Sequence, residues 1–493
     1  MEKSYILSLD QGTTSSRAII YNHKGEVCAM AQKEYPQLFP KPNWVEHNPS
    51  DILSSQFSVA TEVITKYGIS PENIVATGIT NQRETTIVWE RKTGKPVYNA
   101  IVWQDHRTSD YCNKLIENGL AEMVKEKTGL EIDSYFSATK IRWILENVPG
   151  ARAKANKGDL LFGTVDTWLI YNLSGGKMHV TDVTNASRTM LFNISSLNWD
   201  EDLLKLFDIP KSMLPEVKMN DEVLALTAGK ILNTQIPIAA VAGDQQAAMF
   251  GQMCVEKGMA KNTYGTGCFL MVNTGEEFVK SNHKMLGTIA WNISGKTTYA
   301  LEGSVFVGGA VIQWLRDGLE IFKKTKDVET LVLESDDNGG VYFVPAFTGL
   351  GAPYWKQDAK GLIYGINRGT TKSQIARAAL ESIAFQSYDV LSAMEKDIGV
   401  KINKLRVDGG ASANNTLMQF QSDILNTEVQ RPQILETTSL GVAYMAGLNV
   451  GFWNDIQEVK NKWQLSKQFI PNMKNNKREL LLSDWKNAVK RSF

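Results

Sequence analysis

Three short turns of small residues, each at the end of an apolar run, are where this 493-residue chain could do chemistry. They are Asp10-Gln-Gly-Thr-Thr-Ser-Ser16, Tyr264-Gly-Thr-Gly267 and Asp408-Gly-Gly-Ala-Ser-Ala-Asn-Asn415. Backbone N–H groups in such turns, with hydroxyls alongside, can cradle phosphate oxygens. Any one of them alone reads as an ordinary hairpin turn; three in this order are harder to explain that way. Two aspartates stand with them. Asp10 could cap its turn or hold Mg²⁺, an ion satisfied by one or two carboxylates plus phosphate oxygens. Asp244 follows the apolar run Ile236 to Gly243 and precedes a helical stretch, so it could be a helix N-cap or a base. No GxxxxGK[ST] run and no strand-borne GxGxxG occurs, which excludes a P-loop and leaves a dinucleotide turn unsupported.

The remaining composition narrows the chemistry. Lys and Arg number 53, against 53 Asp and Glu. A balanced chain argues against a nucleic-acid partner, because neutralising phosphates along a strand takes a basic excess. Cysteines 28, 112, 254 and 268 form no CxxC pair, and none of the five histidines pairs at HxxH spacing, so no zinc site can be drawn. The N-terminus has no apolar signal core, and no stretch approaches the ~18 apolar residues of a membrane span. The expectation is a cytoplasmic protein with no integral membrane segment.

Elements must hold these turns in place. Tyr5 to Leu9, Arg17 to Tyr21 and Glu26 to Met30 read as three strands around the first turn. Met259 to Tyr264 and Phe269 to Val272 repeat the design around the second, with a further turn expected at Asn273-Thr-Gly275. Ile74 to Thr80, Gly163 to Asp166, Ile236 to Ala242 and Lys404 to Val407 also read as strands. Ser373 to Asp397 reads as a helix with Ile375, Ala379, Ile383, Val390 and Met394 on its core stripe. Alternating strands and helices give mixed α/β layers. The repeated hairpin predicts two domains of related topology, residues 1–250 and 251–493.

Taken together, SLDQGTTSSRAIIY, GITNQRETTIVW, VTDVTNASRTMLF, AVAGDQQAAMFGQ, NTYGTGCFL and VDGGASANN resemble the FGGY carbohydrate kinases of the actin, Hsp70 and hexokinase superfamily. Within that family the chain is most similar to the members that phosphorylate glycerol. The resemblance implies an α/β fold of two ribonuclease H-like (actin-like ATPase) domains around a cleft. It implies ATP and Mg²⁺ as cofactors, glycerol and ATP/ADP as partners, and a homo-oligomer, dimer or tetramer. Asp244 would be the catalytic base, and Asp10, with Asp244, would hold the metal. Arg83, Glu84, Trp103, Tyr135, Asp244, Gln245 and Phe269 would bind glycerol. Thr13, Thr14, Ser15 and Arg17 would meet the phosphates, while Thr266, Gly309, Gln313, Gly410, Ala411 and Asn414 would bind the rest of the nucleotide.

Each assignment has a plainer alternative: Arg83-Glu84 as an exposed ion pair of little energetic weight, the aromatics as core. The chain also departs from the family in two places. His106 stands where a second Arg is common. Thr227 to Ile236 has neither the Arg of the loop that binds fructose 1,6-bisphosphate nor the His phosphorylated in other members, so neither regulatory mode is matched. Two other readings stay open, an FGGY kinase for another polyol or ketose and an actin- or chaperone-like ATPase.

Overall fold

The computed structural model describes residues 4–229, 234–356 and 358–493. Residues 230–233, inside the Thr227–Ile236 stretch, lie outside the described residues. The first sheet contains β1 (Tyr5–Gln11), β2 (Ser15–Tyr21), β3 (Val27–Glu34), β4 (Ile74–Asn81), β5 (Ala225–Leu226) and β6 (Pro237–Gly243), in the order β5-β6-β4-β1-β2-β3. β1, β2 and β3 are an antiparallel meander, and β4 and β6 continue the sheet parallel to β1. The second sheet contains β7 (Ala260–Tyr264), β8 (Cys268–Gly275), β9 (Leu286–Ile293), β10 (Lys296–Val305), β11 (Lys404–Asp408), β12 (Glu428–Pro432) and β13 (Leu465–Phe469). Its order, β9-β10-β8-β7-β11-β12-β13, repeats the plan with one strand more: four antiparallel strands, β7, β8, β10 and β9, and on the other side of β7 the parallel strands β11 and β12. Two sheets of one topology make this the two-domain actin-like ATPase fold.

The inner strands β1, β4 and β6 carry side chains on two buried faces, as internal parallel strands do. In β1, Leu7 and Leu9 pack under α1 (Pro49–Lys66) with Val59 and Val63, while Ile6 faces the other way. On that second face lie two helices, α2 (Asp244–Gly251) and α5 (Thr437–Asn449), in a core that also takes Met271 and Ala300 from the second sheet. The second sheet has its own core with α3 (Lys372–Ile398), built from Val272, Leu301, Ile383, Val390 and Met394. Among the described residues no helix is long and apolar enough to cross a membrane.

α5 is reached only after six of the seven strands of the second sheet, β7 to β12, yet it packs on β1, β4 and β6 of the first. Packing therefore crosses position 250 even though the strands divide there. Glycine makes the crossing possible. A Cβ on Gly441 would land on the carbonyl oxygen of Ala247, and one on Gly251 on that of Thr437. The two helix backbones touch with nothing between them.

The sequence reading fails at two local points. Gly163 to Asp166 is not a strand: the strand is Leu160–Gly163, and Val165–Leu173 is a helix with Asp166 in its first turn, where the helix dipole favours an acid. Asn273-Thr-Gly275 is not a turn but the end of β8, held in the ladder opposite Ala300 and Tyr299.

Gly441→Ala should destabilise the protein by about 1–3 kcal/mol, the usual cost of overpacking a rigid contact. Urea unfolding measures it, and an unchanged midpoint would show that the two helices can part without cost.

Candidate active site

Asp10, Arg83 and Asp244 leave the fold side by side. β1, β4 and β6 are adjacent parallel strands, with Gln11 in register with Asn81 and Asn81 with Gly243. Their carboxyl ends form the crevice where open α/β sheets bind ligands. Arg83 and Glu84 stand two and three residues beyond β4, and Asp244 is the first residue of α2.

The Arg83–Glu84 pair is not exposed: the side chains are 2% and 1% accessible. Arg83 grips Glu302 on β10 with both terminal nitrogens, Nη1 to Oε2 at 2.5 Å and Nη2 to Oε1 at 2.8 Å. Its Nε lies 3.1 Å from Asp244 Oδ1, and Nη1 also donates to Gln246 Oε1 at 3.2 Å. Arg188, fully buried, donates Nε to Glu84 Oε1 at 2.7 Å and Nη2 to Glu302 Oε1 at 3.2 Å. A Cβ on Gly243 would collide with the Arg83 stem, so the strand end must be glycine for the guanidinium to lie there.

Glu84 adopts a left-handed backbone, φ 61°, with the Thr85 N–H donating to the Arg83 carbonyl at 2.7 Å. An i to i+2 bond around a positive φ is the strained γ-turn. Such strain persists where the surroundings over-determine it, commonly at functional sites. Here Ser137 and Thr86 donate their hydroxyls to the Glu84 carbonyl at 2.9 and 3.1 Å.

Burial pulls the Glu302 carboxyl upward, but Arg188 and Arg83 overcome it and hold it down at about 2. Burial raises Asp244 above the ordinary carboxylate range against the opposing pull of Arg83 and Lys261. Asp244 Oδ1 accepts the Gln245 N–H at 2.7 Å, and Oδ2 has no partner among the described residues. That oxygen can take a proton. Glu84 Oε2 and the Tyr135 hydroxyl are likewise without partners among the described residues. Trp103 meets Tyr135 and Phe269 edge-on, centroids 5.6 and 6.2 Å apart, to make an apolar wall. Its indole N–H donates to Thr13 Oγ1 at 2.9 Å, tying that wall to the first turn. The buried Gln245 offers its amide oxygen to Lys261 Nζ, leaving its NH₂ end for another partner.

Asp10 lies beside Arg17 across the hairpin and makes no side-chain hydrogen bond among the described residues. Burial, against the pull of Arg17 and with the charges of Glu436 and Asp244 adding, pushes it up to about 7. Thr13 and Thr14 form the hairpin tip and Ser15 opens β2, its hydroxyl accepting from Gln32 at 3.1 Å. Arg17 Nη1 is engaged by Glu436 at 2.6 Å, just before α5, so any phosphate reaching it competes with that carboxylate.

On the other side of the cleft, Thr266, Gly309, Gln313, Gly410, Ala411 and Asn414 line one cavity of about 530 Å³. Ile312, Leu380, Ile383 and Leu417 supply its apolar wall. The second turn packs on Gly308-Gly309: the Gly309 N–H donates to the Gly265 carbonyl at 2.9 Å, and a Cβ at Gly309 would press on that oxygen. The third turn contains a 3₁₀ turn, Gly410–Ala413, and runs into α4 (Asn415–Leu425), whose Leu417 N–H is accepted by the Asn414 side chain at 2.8 Å. The helix N-terminus therefore faces the cavity, a setting that favours anions.

The structure thus gathers the expected residues into two facing groups, with Thr13 to Arg17 between them. His106 is outside both: exposed, and 3.2 Å from the Ser134 hydroxyl. The sequence reading missed Glu302, Arg188, Lys261 and Glu436. Arg188 lies inside a quoted motif, VTDVTNASRTMLF, but nothing in its local pattern marked it; the others sit in apolar or loop runs without a signal.

Comparison with known proteins agrees with this geometry. Residues 5–251 match the N-terminal domain of the FGGY family of carbohydrate kinases and residues 260–450 its C-terminal domain. The chain is 59% identical to a glycerol kinase 2 of Thermotoga maritima over 99% of both chains. It is 57% identical to a glycerol kinase of Paraburkholderia phytofirmans over 99% of this chain and 98% of that one. Among solved structures it superposes on Plasmodium falciparum glycerol kinase with ADP at a TM-score of 0.93 and 38% identity, covering 100% of this chain and 98% of that one. With two family domains on two sheets of one plan, a cleft between them and the acids and glycines in place, the chain belongs to the FGGY family of carbohydrate kinases.

Proposed function

We propose that this chain transfers the γ-phosphoryl group of ATP to a terminal hydroxyl of glycerol, giving glycerol 3-phosphate and ADP. The observation that carries the reading is the Oδ2 of Asp244, which has no partner among the described residues, beside the Arg83–Glu84 pair and across the cleft from the 530 Å³ cavity. Relatives at 57–59% identity over nearly the whole chain carry the same activity in their names.

Glycerol lies against Trp103 and Phe269, its hydroxyls shared among Glu84, Tyr135, Arg83 and the NH₂ of Gln245. Adenine and ribose occupy the cavity of Gly309, Gln313, Gly410, Ala411 and Asn414, and the phosphates run past Thr266 toward Thr13, Thr14, Ser15 and Arg17. Asp244 Oδ2 accepts the proton of the terminal hydroxyl; the oxygen bonds to the γ-phosphorus as the bridge to the β-phosphate breaks. Such transfer needs little covalent chemistry from the protein, so positioning and charge stabilisation carry the rate. Closure of the cleft excludes water and limits ATP hydrolysis.

Asp10, with Asp244 near it, would hold Mg²⁺ beside the phosphates. A carboxyl raised by burial and by two neighbouring acids, with no side-chain hydrogen bond among the described residues, fits that role. The described residues form no cluster of three or more metal-ligating side chains, as expected where phosphates complete the shell. The ion supplies charge neutralisation to the phosphoryl oxygens. We assign residues 1–250 to glycerol, the base and the first phosphate turn, and residues 251–493 to the nucleotide. We place the activity in the cytoplasm, where ATP is available and four unpaired cysteines stay reduced.

Two experiments follow. ADP release with MgATP, tested against glycerol, dihydroxyacetone, xylulose, ribulose and gluconate, should respond most to glycerol. Asp244→Asn should lower that rate at least ~10²-fold while glycerol still binds. Turnover independent of polyol, or retained in the variant, would overturn the reading. Separately, Asp10→Asn should abolish turnover yet raise the melting temperature of the ligand-free protein. Because folding raises this carboxyl from its ordinary value to about 7, it costs stability once ionised. The gain should therefore be a few degrees above pH 7 and vanish near pH 4. An equal gain at both pH values would show that Asp10 is not the source.

A further inference from the structure

We propose that Glu302, reaching from the second sheet, sets the specificity of the polyol pocket: it fixes the Arg83 and Arg188 guanidiniums and neutralises them, so that the pocket takes a neutral polyol and not an anion.

This inference rests on the polyol reading above, and its support is geometric. Six buried or half-buried charges meet at this point: Arg83, Arg188 and Lys261 against Glu84, Asp244 and Glu302. Of these acids, Glu302 alone accepts hydrogen bonds from both guanidiniums. Two guanidiniums side by side are the usual way to bind a carboxylate or phosphate, through paired N–H donors. Glu302 occupies that role from within the protein. It takes both forks of Arg83, at 2.5 and 2.8 Å, and one arm of Arg188, at 3.2 Å. What Arg83 keeps for a ligand is single donors rather than an open fork.

The arrangement also explains how Glu84 is aimed. Arg188 joins Glu302 to Glu84 Oε1, so the carboxylate that must grip a hydroxyl is anchored through Arg188 to a residue on the other sheet. Arg188 Nη1 is buried and has no hydrogen-bond partner among the described residues. It is the donor through which an anion would enter if the counter-charge were removed. Leaving a buried charge without its partner is strongly unfavourable, so a carboxylate ligand would gain what the missing Glu302 no longer supplies. Glu302 is in this sense a positioning residue, acting on substrate through Arg83 and Arg188.

Equilibrium binding tests this without relying on turnover. Calorimetry of the full-length protein with glycerol and with glycerate, for the unaltered chain and for Glu302→Gln, should show opposite changes. Glycerol affinity should fall at least ~10-fold in the variant, while glycerate, unbound by the unaltered chain, should bind or compete with glycerol. A variant that loses glycerol and gains no glycerate affinity would overturn the specificity claim and leave a merely structural role. Should Glu302→Gln fail to fold, Arg188→Lys decides: it keeps the charge but loses the fork. It should raise the KM for glycerol at least ~10-fold with the KM for ATP unchanged. An unchanged KM for glycerol would overturn the proposal. Failure of the unaltered chain to bind glycerol at all would instead count against the polyol reading itself.

Discussion

The arginine that joins the two halves of the active site is Arg83. Its guanidinium lies between Glu302 on one sheet and Asp244 at the end of the other, and both of its forks are used. Breaking one side of a buried pair of this kind costs about 3–5 kcal/mol, because the remaining charge stays in a poor solvent. Everything chemical in the pocket is arranged around that constraint. Asp244 keeps one oxygen free because its other oxygen is held by Arg83 and the Gln245 N–H. Glu84 keeps one free because Arg188 holds the other. The strained backbone at Glu84 is sustained by the same surroundings.

The fold supplies what this pairing needs, two sheets brought to a fixed approach. α2 and α5 lie between them and touch backbone to backbone at Gly251 and Gly441. A crossing without side chains can rotate but cannot slide apart. Beside that crossing, the strand ends β1, β4 and β6 stay in register. The 530 Å³ cavity belongs to the second sheet and its helices and Asp244 to the first, so the proposed transfer draws on both.

Much of this was legible in the sequence because it is local. Glycines at strand ends announced all three turns, and the residues of the two facing groups fall within a few positions of short motifs. Secondary structure failed only where pattern was ambiguous: Val165-Asp166 reads equally as strand end or helix start, and Asn273-Thr-Gly275 carries turn residues inside a ladder. The plainer alternative for Arg83-Glu84, an exposed pair, failed for a deeper reason. Its partner Glu302 is 219 positions away, and Arg188 lies 104 positions from Glu84. Glu302 sits in an apolar strand, YALEGSV, where one acid gives no local sign of the charge it answers. Pairings across that distance are set by sheet topology and not by spacing, so they emerge only when the two sheets are built.

The central claim is that Asp244, half-buried beside Arg83 and lifted above the ordinary carboxylate range, takes the proton of the attacking hydroxyl. The pH dependence of kcat/KM for glycerol at saturating MgATP tests it most directly. The account predicts an acid limb of unit slope with its midpoint above that of an ordinary aspartate, about 4. A profile that stays flat down to pH 4 would contradict it.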